Sequence, residues 1–236
     1  MRTGPSPTAA HYARASLPIR DDLASAHQAQ FDRWARPGTW WTAAERTAIV
    51  AEARRARAAE PLPAWEPPSS VEGLVPDDHP LSTTAVDAIW RLANHPGTLT
   101  ADRYATTLDG GLTAEQYVEL VGLVASASSV DLFARGMGID LLPFQEPQAG
   151  DPSRDRPDEV AVDTHWVPTV KGSGPNVGKA LTLVPDVFDA FEELSHAQYV
   201  PAEALVGDLT WSRGDLERLQ IELVAARTSV LNDCFY

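Results

Sequence analysis

Cysteine is nearly absent from this chain. Its 236 residues contain one, Cys234, which excludes an intrachain disulfide framework. No unbroken apolar run reaches the about 18 residues that mark a membrane helix, so no span is expected. The opening segment, MRTGPSPTAAHYARASLP, lacks the apolar stretch of a signal peptide, and a cytoplasmic location is expected. Positive charge is scarce: 19 Lys and Arg stand against 33 Asp and Glu, a net charge of −14. Such a field repels nucleic-acid backbones and anionic membranes, and neither is expected as a partner. The one basic cluster, Arg54, Arg55 and Arg57, reads as the exposed face of a helix. Sustained period-2 patterning with β-branched residues is also missing. EVAVDTHWVPTV (159–170) alternates briefly, but Pro168 marks it as a loop or an isolated extended piece.

Helical signals are abundant. Thr42-Ala43-Ala44-Glu45 and Thr113-Ala114-Glu115-Gln116 have the form of capping boxes, in which side chains satisfy the free N–H groups of a helix start. Behind the second, Tyr117, Val118, Leu120, Val121 and Val124 form a helical stripe ending near Gly136 and Gly138. Ser212-Arg213-Gly214-Asp215 is a weaker start signal, followed by Leu216, Leu219, Leu223, Val224 and Val230 at helical spacing. Further helices are expected at about 22–35, 82–94, 101–108, 186–198 and 201–207. The fold class is all-α.

Proline places the breaks. Of the 19 prolines, six lie in 61–80 and four in 143–158. Residues 61–80 read as a surface loop, and residues 148–158 as a linker between helical units at 1–147 and 159–236. The two units share a short likeness. ERTAIVAEARR (45–55) lies without gaps against ERLQIELVAAR (217–227), with Glu, Arg, Ile, Ala and Arg coincident. A degenerate duplication is expected.

The residues with the most chemistry lie in LERLQIELVAARTSVLNDCFY (216–236). Glu222 is a carboxylate on an apolar helix, and burial would raise its pKa toward that of a usable proton acceptor. Cys234 follows twelve residues later. On residue type alone these are a solvated Glu and a small core Cys. The segment, however, resembles the core of the alkylhydroperoxidase (AhpD-like) and carboxymuconolactone decarboxylase superfamily. There a helix bearing a Glu leads into C-x-x-C-x-x-x-H with this Glu-to-Cys spacing. Residues 175–181, 185–191 and 111–139 resemble flanking parts of that family.

The resemblance implies a two-unit AhpD-like helical fold and a thiol or selenol peroxidase or disulfide reductase. In it Cys234 is the resolving cysteine and Glu222 the relay carboxylate. It further implies a hydroperoxide substrate, an external thiol or dithiol reductant, no metal or organic cofactor, and a homo-oligomer. The second Cys and the His of the pattern fall beyond Tyr236. Two explanations fit, a selenocysteine codon in the next position or an ordinary truncation, and on either the 236-residue chain is expected to lack peroxidase turnover. In the first unit Val50 and Leu62 stand opposite Glu222 and Cys234, so that unit is a scaffold.

Two other classes fit the sequence. One is a non-catalytic helical binding or assembly module. The other is a cofactor-free decarboxylase of the carboxymuconolactone type, holding a dicarboxylate on Arg218 or Arg227. The glycine-rich run around Gly174-Pro175-Asn176-Val177-Gly178-Lys179 lacks phosphate-loop spacing. The six histidines show no helical metal-ligand spacing. Asp77-Asp78-His79 reads as a solvated turn, and Trp40-Trp41 as an anchor for helix packing.

Overall fold

A computed structural model describes residues 6–172, 174–205, 209–232 and 234. Helices hold 54% of the residues and strands 4%, so the class is all-α. The helices are α1 (Pro7–Tyr12), α2 (Asp21–Trp34), α3 (Ala43–Ala58), α4 (Thr83–Asn94), α5 (Ala101–Asp109), α6 (Ala114–Gly136), α7 (Asn176–Lys179), α8 (Pro185–Gln198), α9 (Ala202–Leu205) and α10 (Arg218–Leu231). Residues 206–208, at the end of one expected helix, lie outside the described residues.

Both capping boxes form. The Thr42 and Thr113 oxygens accept from the Glu45 and Gln116 N–H groups, and the Glu45 and Gln116 side chains reach back to the cap backbone. Two start signals differ from expectation. Residues 212–217 do not begin a helix. They form a tight hairpin of β3 (Ser212–Arg213) and β4 (Leu216–Glu217), turned by Gly214 at φ 57°. α10 starts after it, capped by Glu217 and Gln220. Helix α1 was not anticipated. It is nucleated by the Ser6 cap and by Pro7, whose fixed φ suits a first helical turn. The alternating segment becomes a two-residue antiparallel pairing of β1 (Val160–Ala161) with β2 (Thr169–Val170).

The central helix is α6, with α3, α4 and α8 packed around it. Phe31 and Trp34 of α2, Ile49 and Val50 of α3, Ile89 of α4 and Leu120 of α6 belong to one buried core. Among the described residues α6 alone is long and apolar enough to cross a membrane, although no run of apolar residues had suggested one. Its apolar residues are instead spent on this core, with Leu120 and Ala127 fully enclosed.

The basic cluster on α3 is not a free face. Arg54 makes a bidentate ion pair with Asp131 at 2.8 Å, Arg55 pairs with Glu52 at 2.5 Å, and Arg57 bonds Ser128. Nor is His79 a solvated group. Its ring lies 3.4 Å from Glu52, whose carboxylate also accepts from Trp90 Nε1 at 2.6 Å. Residues 148–158 have no regular structure but run along the body. Gln148, Ser153 and Arg154 donate backbone N–H bonds to Ala35, Gly38 and Thr39. The two windows of internal likeness lie on α3, which is buried, and α10, which is largely exposed.

Candidate functional site

A cavity of about 270 Å³ opens between α2, α6 and α8. Its α6–α8 edge is set by a close helix contact. Gly122 lies on α6 where a Cβ would collide with Val187 of α8, so only glycine lets the helices approach there. Leu123, Phe191 and Leu194 give apolar walls. Polar groups stand at the edges. Trp34 Nε1 donates to Ser126 Oγ at 3.2 Å, Gln30 donates to the Ala190 carbonyl at 3.3 Å, and Arg33 pairs with Glu193 at 2.6 Å.

One wall carries a buried charge. Arg46 of α3 lines the cavity with its side chain 3% exposed. Its Nε lies 3.5 Å from Glu119 Oε1, and its Nη2 lies 3.6 Å from Asp186 Oδ2. Neither contact completes a hydrogen bond for Arg46 Nε or Glu119 Oε1, which remain buried without such a partner. The other Glu119 oxygen accepts from the Trp40 N–H at 2.6 Å. Burial pushes the Glu119 carboxyl up to about 7, against the pull of Arg46 and the backbone N–H groups. Burial likewise draws Arg46 below its ordinary value, with Glu119 and Asp186 opposing. Trp40-Trp41 anchors this region: Trp41 is buried, and its Nε1 donates to the Gln116 carbonyl at 3.0 Å.

A second buried network borders the cavity. His27 is fully enclosed, with Tyr12 Oη 2.6 Å from Nδ1 and Gln198 Nε2 2.9 Å from Nε2. Gln198 is itself a lining residue and accepts from Ser129. Burial lowers His27 to about 4, so the ring is neutral near pH 7.

The sequence-derived site residues sit elsewhere. Glu222 lies in the first half of α10 with its side chain 37% exposed. It accepts from Tyr199 Oη at 2.7 Å and from Arg218 Nε at 2.6 Å. These bonds, Tyr199 first, hold its carboxyl below the ordinary value, the reverse of the rise expected for a buried proton acceptor. Tyr199 also lines the cavity, so Glu222 is one side chain removed from it. Cys234 is exposed beyond the far end of α10, its N–H donating to the Ser229 carbonyl at 2.9 Å. The helix between Glu222 and Leu231 rises by roughly 14 Å, and the two residues are not brought together. Arg218 is buried against the Ala204 carbonyl and away from the cavity lining, while Arg227 is exposed on α10. Among the described residues no group of three His, Cys, Asp or Glu is placed to hold a metal.

Arg46 and Glu119 were missed by motif reading, yet both leave a trace. Arg46 falls at i, i+3, i+4 and i+7 with Ile49, Val50 and Ala53, on the buried stripe of α3. Glu119 interrupts the apolar stripe of α6 one turn before Leu123. A charge on a buried stripe needs a counter-charge, and here the two stand 3.5 Å apart as an ion pair that completes no hydrogen bond between those atoms. No family model, curated protein or solved structure matches the chain.

Proposed function

We propose that the protein is a helical small-molecule-binding protein whose ligand occupies the cavity between α2, α6 and α8. The observation that carries this reading is an apolar cavity of about 270 Å³ with buried polar groups on its wall. Apolar walls with a few fixed polar groups are the usual make-up of a ligand site, and this volume lies just below the usual range of about 300–1,000 Å³, which suits a small ligand. Alanine at position 125 is exposed and lines the cavity. Ala125→Phe is therefore expected to obstruct the opening while leaving the core untouched. Titration of the protein with 1-octanol should show saturable binding, weakened at least about 10-fold in Ala125→Phe with an unchanged melting temperature. Equal binding by both proteins, or none by either, rejects the cavity as the site.

The hydroperoxide-reducing reading rests on the resemblance and locates its chemistry at Cys234, away from this cavity. It goes with an external dithiol reductant, a homo-oligomer and a cytoplasmic location. Its test is independent: peroxide consumption with a dithiol, before and after Cys234→Ser. Turnover lost on that substitution supports it and overturns the expectation of an inactive 236-residue chain; no turnover by either protein is expected both of a binding protein and of a peroxidase without its attacking residue.

A further inference from the structure

The cavity's charged wall has an unusual composition. Arg46 lines an apolar space with its side chain only 3% exposed, and its Nε lacks a hydrogen-bond acceptor. An arginine in proteins keeps its proton, so this donor requires an acceptor rather than a change of state. Glu119 stands beside it but does not complete the bond: the 3.5 Å approach of its Oε1 leaves both atoms short of a partner. The pair is clamped from behind by Gly38, where even a Cβ would overlap Glu119 Oε1 and crowd the Arg46 guanidinium.

Resting on the cavity reading, we propose that this wall is a proton-coupled carboxylate subsite. An apolar monocarboxylic acid enters with its chain along Leu123, Phe191 and Leu194 and its carboxylate against Arg46, and Glu119 takes up one proton from solvent as the ligand replaces it as counter-ion.

The charge balance requires the proton. Before binding, the ionised Glu119 and Arg46 cancel, with Asp186 at 3.6 Å on the other edge of the guanidinium. A ligand carboxylate adds a second full negative charge beside Glu119 in a water-poor space, where two carboxylates do not both stay ionised against one cation. Glu119 is the group that yields, because burial already disfavours its charged form. The other carboxylate beside the guanidinium, Asp186, is 41% exposed, so its charged form is solvated where that of Glu119 is not. α3 presents Arg46 and α8 presents Asp186. Arg33 in the last turn of α2 and Arg36 just beyond that helix act on Arg46; Arg33 also lines the cavity with its Nε short of a partner, but its charge is already met by Glu193 at 2.6 Å. The backbone at Trp40 presents an N–H, and α4 packs on α6 with Ala85, Val86 and Ile89 buried.

Calorimetric titration with octanoate and with 1-octanol, in two buffers of different ionisation enthalpy near pH 8, tests this. Octanoate is expected to bind at least about 10-fold more tightly than 1-octanol, with uptake of close to one proton. Its affinity should fall about 10-fold per pH unit above pH 7. Glu119→Gln should keep octanoate binding and lose both the proton uptake and the pH slope. Arg46→Gln, checked for folding by circular dichroism, should lose the preference for octanoate. If it does not fold, Glu119→Gln decides alone. Octanoate no tighter than 1-octanol overturns the carboxylate subsite while leaving the cavity reading intact. Tight octanoate without proton uptake overturns the coupling. Failure of both ligands overturns the cavity reading itself.

Discussion

Gly38 is glycine because the space its side chain would fill is taken by the Glu119–Arg46 pair. Adding a methyl group there displaces charged side chains whose alternatives are few, since Arg46 and Glu119 are both almost fully buried. Gly38→Ala is therefore expected to destabilise the fold by about 1–3 kcal/mol, the range for overpacking. Gly97→Ala, where an added Cβ meets nothing within 4 Å, is the matched control and should be near neutral. Urea unfolding of the two variants checks the pair, and equal midpoints would mean that the pair simply moves aside. Residue-level reading of the sequence pointed to a different part of the molecule from the cavity, for a physical reason. Glu222 and Cys234 draw attention by spacing and resemblance, whereas Arg46 and Glu119 are separated by 73 positions of chain and meet only once α3 packs on α6. What was legible was a charge on each buried stripe, not that the two charges belong together.

Elements were more legible than sites. Where the start signal is local, as at Thr42 and Thr113, hydrogen bonds within four residues decide the outcome, and both helices begin as their capping boxes require. The segment 212–217 went the other way. Gly214 at positive φ closes a hairpin before the helix, and a glycine's choice between a turn and a helix start is not written in its neighbours. α10 shows how weakly a recognisable helix can be held. Leu219, Leu223 and Val230 are 66%, 72% and 65% exposed, so its apolar stripe contributes little burial. Its ties to the body include Arg218, which bonds the carbonyls of Ala204 and Leu205, and Glu222, which accepts from Tyr199 Oη. Arg218→Ala should raise hydrogen-exchange rates along α10 by about 10-fold or more while leaving α6 unchanged. Unchanged rates in α10 would show that its stability comes from the capping at Glu217 or the Tyr199 bond to Glu222 instead.

At the scale of the whole molecule, composition told where helices stop but not where the chain goes next. The proline-rich stretch 148–158 is irregular, as its content dictates, yet its N–H groups bond residues 35–39, because an irregular backbone still needs acceptors. The same closed packing makes stability depend on pH in two opposed ways. His27 is depressed to about 4 from an ordinary 6.5, so its contribution is complete above pH 6.5 and is lost as pH falls toward 4. Protonation at Nε2 would also cost it the hydrogen bond from Gln198. Glu119 is raised to about 7 from 4.5, so its contribution is complete below pH 4.5 and is lost as pH rises through 7. Each shift corresponds to about 3 kcal/mol. Between pH 4.5 and 6.5 the two slopes largely cancel, and stability should be nearly flat with respect to these groups. From pH 6.5 to 8 only the Glu119 loss remains. Glu119→Gln removes the titration and should abolish that decline, so its melting temperature relative to the parent should rise as pH goes from 6 to 8. His27 is untouched by this change, so its loss below pH 6.5, offset by Glu119 in the parent, must emerge in the variant. Melting curves at four pH values separate the two groups, and a parallel offset between the proteins across that range would assign the alkaline decline to some group other than Glu119.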